Sequence, residues 1–156
     1  PPETQTGANT FGVTINGKVY VPRDPTGVNV GTTAKGMIFW GAPDNVSWNE
    51  IEIKDGASAV GFQMIIHLQS NYHKGIDSIA DNHIYFKIWD SNISNYAYYG
   101  SIENQGMVNI TKRENGIVSG NFSGRFVRYD NPNDIIEITD GRFDINTFTL
   151  PNHPFP

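Results

Sequence analysis

A strictly alternating run at residues 116–129 constrains this chain more than any other feature. Val118, Phe122 and Phe126 fall on one face of an extended chain. The opposite face is polar and carries Ser119, Asn121, Ser123 and Arg125. Alternation with period two over this length predicts a long strand that buries one face. A second alternating run follows at residues 136–145, so the chain is predicted to be all-β.

Glycine-containing dipeptides mark the ends of the predicted strands. Asn16-Gly17 lies between two short alternating runs, and Asn115-Gly116 precedes the long one. Asn-Gly in this setting is the strongest short signal for a β-hairpin. Asp140-Gly141 interrupts the second run and predicts a further tight turn, with both residues at positive φ.

Turn signals of this kind divide the chain into about ten short strands, which is typical of sandwiches and barrels. We predict a single-domain antiparallel β-sandwich over residues 10–150, with an up-and-down or half-open β-barrel as the alternative. Residues 1–9 are interpreted as a polar linker or tether, and residues 151–156 as a C-terminal tail. At most one helical turn is expected, near residues 76–81.

Composition excludes several functional classes. The formal net charge is −5 and the Lys and Arg residues are scattered, which disfavours a nucleic-acid partner. The chain of 156 residues has no cysteine, which excludes disulfides, thiolate catalysis and Cys-ligated metals. No apolar run approaches the length of a membrane span.

Metal-binding and catalytic patterns are weak. The one metal-like grouping consists of His67, His73, Asp77, Asp81 and His83. Its spacing does not match a recognised ligand motif, so these are interpreted as ordinary polar loop residues and no metal or cofactor is predicted.

Carboxylates and serines give no catalytic pattern either. Glu50 and Glu52 share a strand face beside Lys54 and are interpreted as a solvated pair rather than a glycosidase dyad. Asp140 and Glu114 are interpreted as turn residues, and no nucleophile elbow is present. No catalytic residue is therefore predicted.

Aromatic residues are numerous for a chain of this length. Exposed rings on a β-sheet can stack against the apolar faces of sugars, whereas buried rings fill sheet cores. Both roles stay open, and the segment 96–99 is expected to be the most exposed because Asn92 and Asn95 precede it. The candidate ligand-binding residues are Trp40, Trp48, Tyr96, Tyr98 and Tyr99.

Three segments together resemble one family. They are residues 4–18, which begin Thr-Gln-Thr-Gly-Ala-Asn-Thr-Phe-Gly, residues 116–123 and residues 138–144. The chain is similar here to a lipoprotein family of unknown function from Bacteroides-type bacteria. The resemblance implies a cell-envelope location, at the outer membrane or periplasmic face, and a lipid anchor on a cysteine preceding this chain. It assigns no activity and no site residues.

These observations favour a non-enzymatic envelope protein that binds a glycan or another surface component. A structural or accessory protein that contacts a protein partner through a sheet edge or an apolar patch is the alternative. A hydrolase is the least favoured. An open row of aromatic side chains would support the first hypothesis, and an uncovered edge strand the second.

Overall fold

The computed structural model describes residues 3–25, 35–41, 48–69, 75–78 and 83–156, without the side chains of residues 77 and 78. These residues form ten strands and one short 3-10 helix, and no α-helix occurs among them. The strands are β1 (Thr10–Ile15), β2 (Lys18–Tyr20), β3 (Met37–Gly41), β4 (Trp48–Lys54), β5 (Gln63–Gln69), β6 (Gly75–Ser78), β7 (His83–Asp90), β8 (Asn95–Glu114), β9 (Ile117–Arg128) and β10 (Asn131–Asn146), and the 3-10 helix is Leu150–Asn152.

The strands form one open antiparallel sheet, which confirms the all-β prediction. Their order is β2-β1-β10-β9-β8-β7-β5-β4-β3, and β6 pairs with β8 beside β7. The sheet is sandwich-like and does not close into a barrel. It surrounds one apolar core to which strands from both ends contribute, including Phe11 of β1 and Ile51 of β4.

The two ends of the sheet approach each other just beyond β2 and β4. The backbone N–H of Arg23 donates to the carbonyl of Lys54 at 3.0 Å, and Gly56 N–H donates to the carbonyl of Arg23 at 2.9 Å. The Arg23 guanidinium also donates two hydrogen bonds to the Asp55 carboxylate, at 2.7 and 2.8 Å. These contacts link the chain after one edge hairpin to the far side of the same sheet.

Both Asn-Gly hairpin predictions are confirmed. Asn16 and Gly17 have φ of 51° and 79°, and Asn115 and Gly116 have φ of 51° and 77°. Positive φ at both central residues defines a type I′ turn, whose twist matches that of the flanking strands. The first turn joins β1 to β2, and the second joins the long strands β8 and β9.

The turn predicted at Asp140-Gly141 is wrong. β10 runs without a break through both residues, and the register with β9 shifts between Ile138 and Gly141, which marks a bulge. Gly141 is needed for close approach, because a Cβ there would lie 2.3 Å from the Phe122 ring. Asp140 instead accepts hydrogen bonds from Thr14, at 2.9 Å from the backbone N–H and 2.6 Å from the hydroxyl.

One long strand replaces two predicted ones in the middle of the chain. β8 covers the aromatic segment 96–99 and the alternating segment 108–111, and its register with β9 shifts between Ser101 and Gly106. β7 pairs with the first half of β8, and β6 pairs with the second half. Residues 76–78 therefore belong to a strand, and the helical turn expected there is wrong, while residues 79–81 lie outside the described residues.

The segments interpreted as a linker and a tail pack against the sheet where they are described. Residues 3–9, which we call the N-terminal clasp, lie over β9 and β10. At the other end, Phe155 is buried, and its backbone N–H donates to Asp24 at 3.0 Å. Asp24 also accepts from the Gly36 N–H at 2.7 Å, so one carboxylate joins the C-terminal segment to the start of β3.

The N-terminal clasp is organised around the Asp144 carboxylate, which is 1% exposed. It accepts hydrogen bonds from the hydroxyls of Thr4 and Ser119, both at 2.6 Å. It also accepts from the backbone N–H groups of Thr6, Gly7 and Ala8, at 3.0, 2.8 and 3.2 Å. Burial raises the pKa of Asp144, but these hydrogen bonds outweigh it and bring the pKa down to about 2.

Candidate ligand-binding face

Five adjacent strands, β3, β4, β5, β7 and β8, present one surface that no other described segment covers. Side chains alternate along each strand, so Ile51, Ile66 and Phe86 point into the core while their neighbours point outward. We call the outward surface of these strands, together with Tyr129, the open face. It carries Ile38, Trp40, Trp48, Glu50, Glu52, Lys54, Gln63, Ile65, His67, His83, Tyr85, Lys87, Trp89, Tyr96 and Tyr98.

Strand register places several of these side chains in a line across the sheet. Ile38 lies opposite Glu52, and Glu52 opposite Ile65. Ile65 in turn lies opposite Tyr85, and Tyr85 opposite Gly100. The line crosses four gaps between strands, which at ~4.8 Å each gives a length of ~19 Å. An extended ligand lying along this line can therefore cross all five strands.

Gly100 allows Tyr129 to complete the line. A Cβ at residue 100 would lie 2.7 Å from the Tyr129 ring, so the ring rests directly on the backbone of β8. The backbone N–H of Tyr129 donates to the carbonyl of Tyr98 at 3.0 Å, which holds the Tyr129 backbone beside β8. Tyr129 is 64% exposed, so its outer surface is available for contact.

The first depression on the open face contains both candidate tryptophans. It has a volume of about 190 Å³ and is lined by Trp40, Trp48, Glu50, Glu52 and Ile65, and we call it the tryptophan pocket. Trp40 is 47% exposed although it is held by a hydrogen bond. The Trp48 ring lies beside the His67 imidazole, with 5.9 Å between ring centroids.

The second depression begins where the first one ends. It has a volume of about 130 Å³, and we call it the tyrosine pocket; its lining residues are Gln63, Ile65, Tyr85, Phe86, Lys87, Tyr98 and Tyr129. Ile65 lines both depressions, so they adjoin at this residue, and we call the two together the groove. Tyr85 and Tyr98 are 39% and 51% exposed.

Glu52 fixes the polar groups between the two pockets. One carboxylate oxygen accepts from the Trp40 indole N–H at 2.7 Å, and the other accepts from the Gln63 amide at 3.1 Å. Lys54 Nζ lies 2.9 Å from the same second oxygen. Burial raises the pKa of Glu52, but the donors from Lys54, Trp40 and Gln63 outweigh it and leave the pKa below its usual value.

Tyr96 lies on the open face but outside the two pockets. Its ring meets Trp89 edge to face, with 5.5 Å between centroids, and Lys87 Nζ lies 4.2 Å from its centroid. This is a cation–π contact that holds Lys87 along the face. Four of the five predicted residues, Trp40, Trp48, Tyr96 and Tyr98, thus share one surface.

The prediction that Tyr99 is exposed is wrong, because neighbouring residues on a strand point to opposite sides. Tyr99 is 4% exposed and stacks on Phe86, with ring centroids 5.1 Å apart. Its hydroxyl donates to the Asp134 carboxylate at 2.9 Å. Burial, followed by this hydrogen bond, raises the pKa of Tyr99 to about 12. Tyr99 is a core residue with a polar tip at the rim.

The metal-like grouping is only partly described. His67 and His83 lie opposite each other on β5 and β7, with ring centroids 6.0 Å apart. His73, Asp81 and the side chain of Asp77 lie outside the described residues. No group of three or more metal-ligating side chains occurs within the described part of the chain.

The acidic residues considered for catalysis lie on three different strands, β4, β8 and β10. Glu50 and Glu52 both point outward from β4, as predicted, and the lowered pKa of Glu52 is the opposite of what a general acid requires. Glu114 ends β8 at an exposed position beside the Asn115-Gly116 turn, which agrees with its interpretation as a turn neighbour. Asp140 is bound to Thr14, as described above.

Sequence reasoning missed several residues that line the groove, among them Tyr85, Ile65 and Tyr129. Tyr85 carried a usable signal, since it alternates with buried Ile84 and Phe86 and must therefore point outward. Ile65 offered a weaker signal. An outward-pointing isoleucine between two buried residues can be covered by another segment or exposed to solvent. Tyr129 had no local signal, because its position depends on a glycine in another strand.

No family model, curated protein or solved structure matches this chain. Among the described residues there is also no helix with the length and apolar character needed to span a bilayer. The geometry of the open face is therefore the main guide to function.

Proposed function

We propose that this protein is a non-enzymatic binding module that holds a glycan in the groove across its open face. The observation that carries the proposal is that the tryptophan and tyrosine pockets adjoin, with Ile65 lining both. A groove that crosses five strands suits a chain of sugar units better than a single small ligand.

The chemistry of the groove is matched to sugars. A sugar ring has an apolar face that packs on an aromatic ring and a rim of hydroxyl groups that need hydrogen-bond partners. The groove offers exposed rings from Trp40, Tyr85 and Tyr98 beside the polar groups of Gln63 and Lys87. Pockets that combine apolar walls with a few placed polar groups are typical binding sites.

We also propose that the protein belongs to the cell envelope and is lipid-anchored in its full-length form. The support is the resemblance of residues 4–18, 116–123 and 138–144 to the lipoprotein family described above. Metabolic labelling of the natural precursor with a fatty acid, followed by membrane fractionation, tests this part. A labelled protein in the envelope fraction is expected, and an unlabelled protein in the soluble fraction would contradict it.

A glycan array with purified protein tests the binding function. Trp40→Ala removes a ring that is 47% exposed, and we expect it to weaken binding by about tenfold because it removes one aromatic contact. Phe148→Ala is the matched control, since Phe148 is 73% exposed but packs over Gly116 and lines neither pocket. The proposal fails if no glycan binds, or if both variants weaken binding equally.

A second candidate function is contact with a protein partner at the β3 edge. β3 ends the strand order of the described sheet, and beside it lies an apolar depression of about 250 Å³. Lys35, Met37, Phe39, Leu150 and Pro151 are among its lining residues. Such an edge can pair with a strand from another protein. Cross-links from Lys35 to one defined envelope protein would favour this candidate over the first.

A further inference from the structure

The tryptophan pocket combines aromatic rings with negative charge. Two indole rings and two carboxylates line it, and its described lining contains no lysine or arginine. The adjoining tyrosine pocket differs, since Lys87 is the one charged residue among its lining. A ligand that spans the groove therefore meets acidic groups at one end and a basic group at the other.

The two carboxylates of the tryptophan pocket are not equivalent. Both oxygens of Glu52 are engaged by protein donors, and Lys54 compensates its charge. Glu50 has a looser contact, because its carboxylate lies 3.7 Å from His67 Nδ1, beyond direct hydrogen-bond distance. Glu50 is therefore the carboxylate that can pair with a group on a ligand.

We propose that the tryptophan pocket binds the protonated amino group of an amino-sugar unit, with Glu50 as its ion-pair partner. The indole rings of Trp40 and Trp48 favour a cation through their negative faces, and tryptophan is the best side chain for this contact. The inference rests on the proposed glycan-binding function and specifies which sugar occupies this end of the groove.

Three β-1,4-linked oligomers of equal length test the inference. Oligomers of glucosamine, N-acetylglucosamine and glucose share one backbone and differ only at carbon 2, where they carry an amine, an acetamide or a hydroxyl. Affinities are measured by calorimetry at mildly acidic pH, where the sugar amine is protonated, and at constant ionic strength. We expect the glucosamine oligomer to bind about tenfold more tightly than the other two, because a cation–π contact and an ion pair are added.

Two Glu-to-Gln substitutions, each of which removes one negative charge, separate the role of the pocket from that of overall charge. Glu50→Gln should reduce the preference for glucosamine to about threefold, since only the indole contacts remain. Glu103→Gln makes the same change in net charge at an exposed position on β8 that lines neither pocket, and it should leave the preference intact. Thermal unfolding of both variants checks that they remain folded.

Each result has a defined meaning. Equal affinity for the three oligomers, or a preference that both substitutions reduce alike, would overturn the amino-sugar assignment and leave the glycan-binding function standing. Failure of all three oligomers while another glycan binds on the array would do the same. Failure of every glycan on the array would remove the proposed function itself.

Discussion

The outer surface of this sheet has two contrasting regions, one covered by another segment of the chain and one exposed. Over β9 and β10 it is covered by the N-terminal clasp, which places its donors on Asp144. Over β3 to β8 it is open and carries Trp40, Tyr85 and Tyr98 at 39–51% exposure. The same alternation of side chains produces both surfaces, so strand pattern alone does not distinguish a covered face from an open one.

The difference lies in how the polar groups are satisfied. On the covered face, Asp144 receives hydrogen bonds from the clasp and from Ser119, so it is satisfied within the protein. On the open face, Glu50 and the exposed rings lie in a groove with room for a ligand. Buried polar groups are almost always paired, whereas groups that bind ligands keep capacity for a partner. The covered region is therefore structural, and the open region is the place to look for binding.

The largest expected effect is a difference in stability between substitutions at Tyr98 and Tyr99. These neighbouring residues of β8 point to opposite sides of the sheet. Tyr99→Ala should lower the free energy of unfolding by about 3–4 kcal/mol, because it leaves a cavity beside Phe86. Tyr98→Ala should change stability by less than about 1 kcal/mol and weaken glycan binding instead. Urea unfolding of both variants measures this contrast, and equal destabilisation would show that the two residues do not differ as described.

Removal of the Asp144 carboxylate, to which the clasp is hydrogen-bonded, should have the next largest effect on stability. Asp144→Ala leaves the Ser119 hydroxyl and three backbone N–H groups without their acceptor, and we expect a loss of about 3 kcal/mol. Hydrogen exchange at residues 6–8 should accelerate, while glycan affinity at the distant open face should stay unchanged. A loss of glycan affinity in folded protein would show that the two regions are coupled.

The ionised state of Asp144 also predicts a pH dependence. Its pKa is about 2 in the folded protein against 3.8 in the unfolded chain. A depressed pKa gives stability that is complete above about pH 4 and is lost as the pH falls towards 2, amounting to about 2 kcal/mol. Asp24, Glu52 and Asp140 also have lowered pKa values and contribute in the same direction.

Comparison with Asp144→Asn isolates this contribution. The difference in unfolding free energy between the native protein and the variant should shrink by about 2 kcal/mol between neutral pH and pH 2. A difference that stays constant over this range would mean that the charge of Asp144 does not stabilise the fold.

The three segments on which the proposed relation to a lipoprotein family rests meet at this carboxylate. Thr4, Thr6, Gly7 and Ala8 come from the first segment, Ser119 from the second and Asp144 from the third. These three segments therefore form a structural cluster that lies away from the candidate binding residues of the open face. Gly7 also requires its residue type, because it has φ of 73° and a Cβ there would lie 3.0 Å from Ile117.

Local patterns predicted the strands and the Asn-Gly turns well. They failed where distant residues decide the outcome. Asp140-Gly141 has the composition of a turn, but pairing with β9 on both sides of the bulge keeps the chain extended. Asp144 and its clasp are separated by more than 130 residues in sequence, so no window of the sequence contains both partners.

The candidate binding residues also divide into those whose position follows from the local strand pattern and those whose position depends on distant residues. Trp40, Trp48, Tyr96 and Tyr98 lie on one surface, as an aromatic binding face requires. The error at Tyr99 was avoidable, since residues 96 and 98 share a face and residue 99 must then point the other way. The contribution of Tyr129 could not be inferred, because it depends on the missing side chain at Gly100 in another strand.

The smallest expected effect tests the contact between Gly100 and the Tyr129 ring. Gly100→Ala places a methyl group where the Tyr129 ring lies, at 2.7 Å, so the ring must move away from the tyrosine pocket. The backbone at Gly100 does not have positive φ, so alanine itself is tolerated in the strand. We expect about threefold weaker glycan binding with little change in stability.

A double-mutant cycle shows whether Gly100 acts through Tyr129. If it does, Gly100→Ala should have no further effect on affinity once Tyr129→Ala is present, because the ring that the methyl group displaces is already gone. Additive losses would mean that the methyl group blocks the groove directly. Either result identifies which group a ligand touches at this end of the open face.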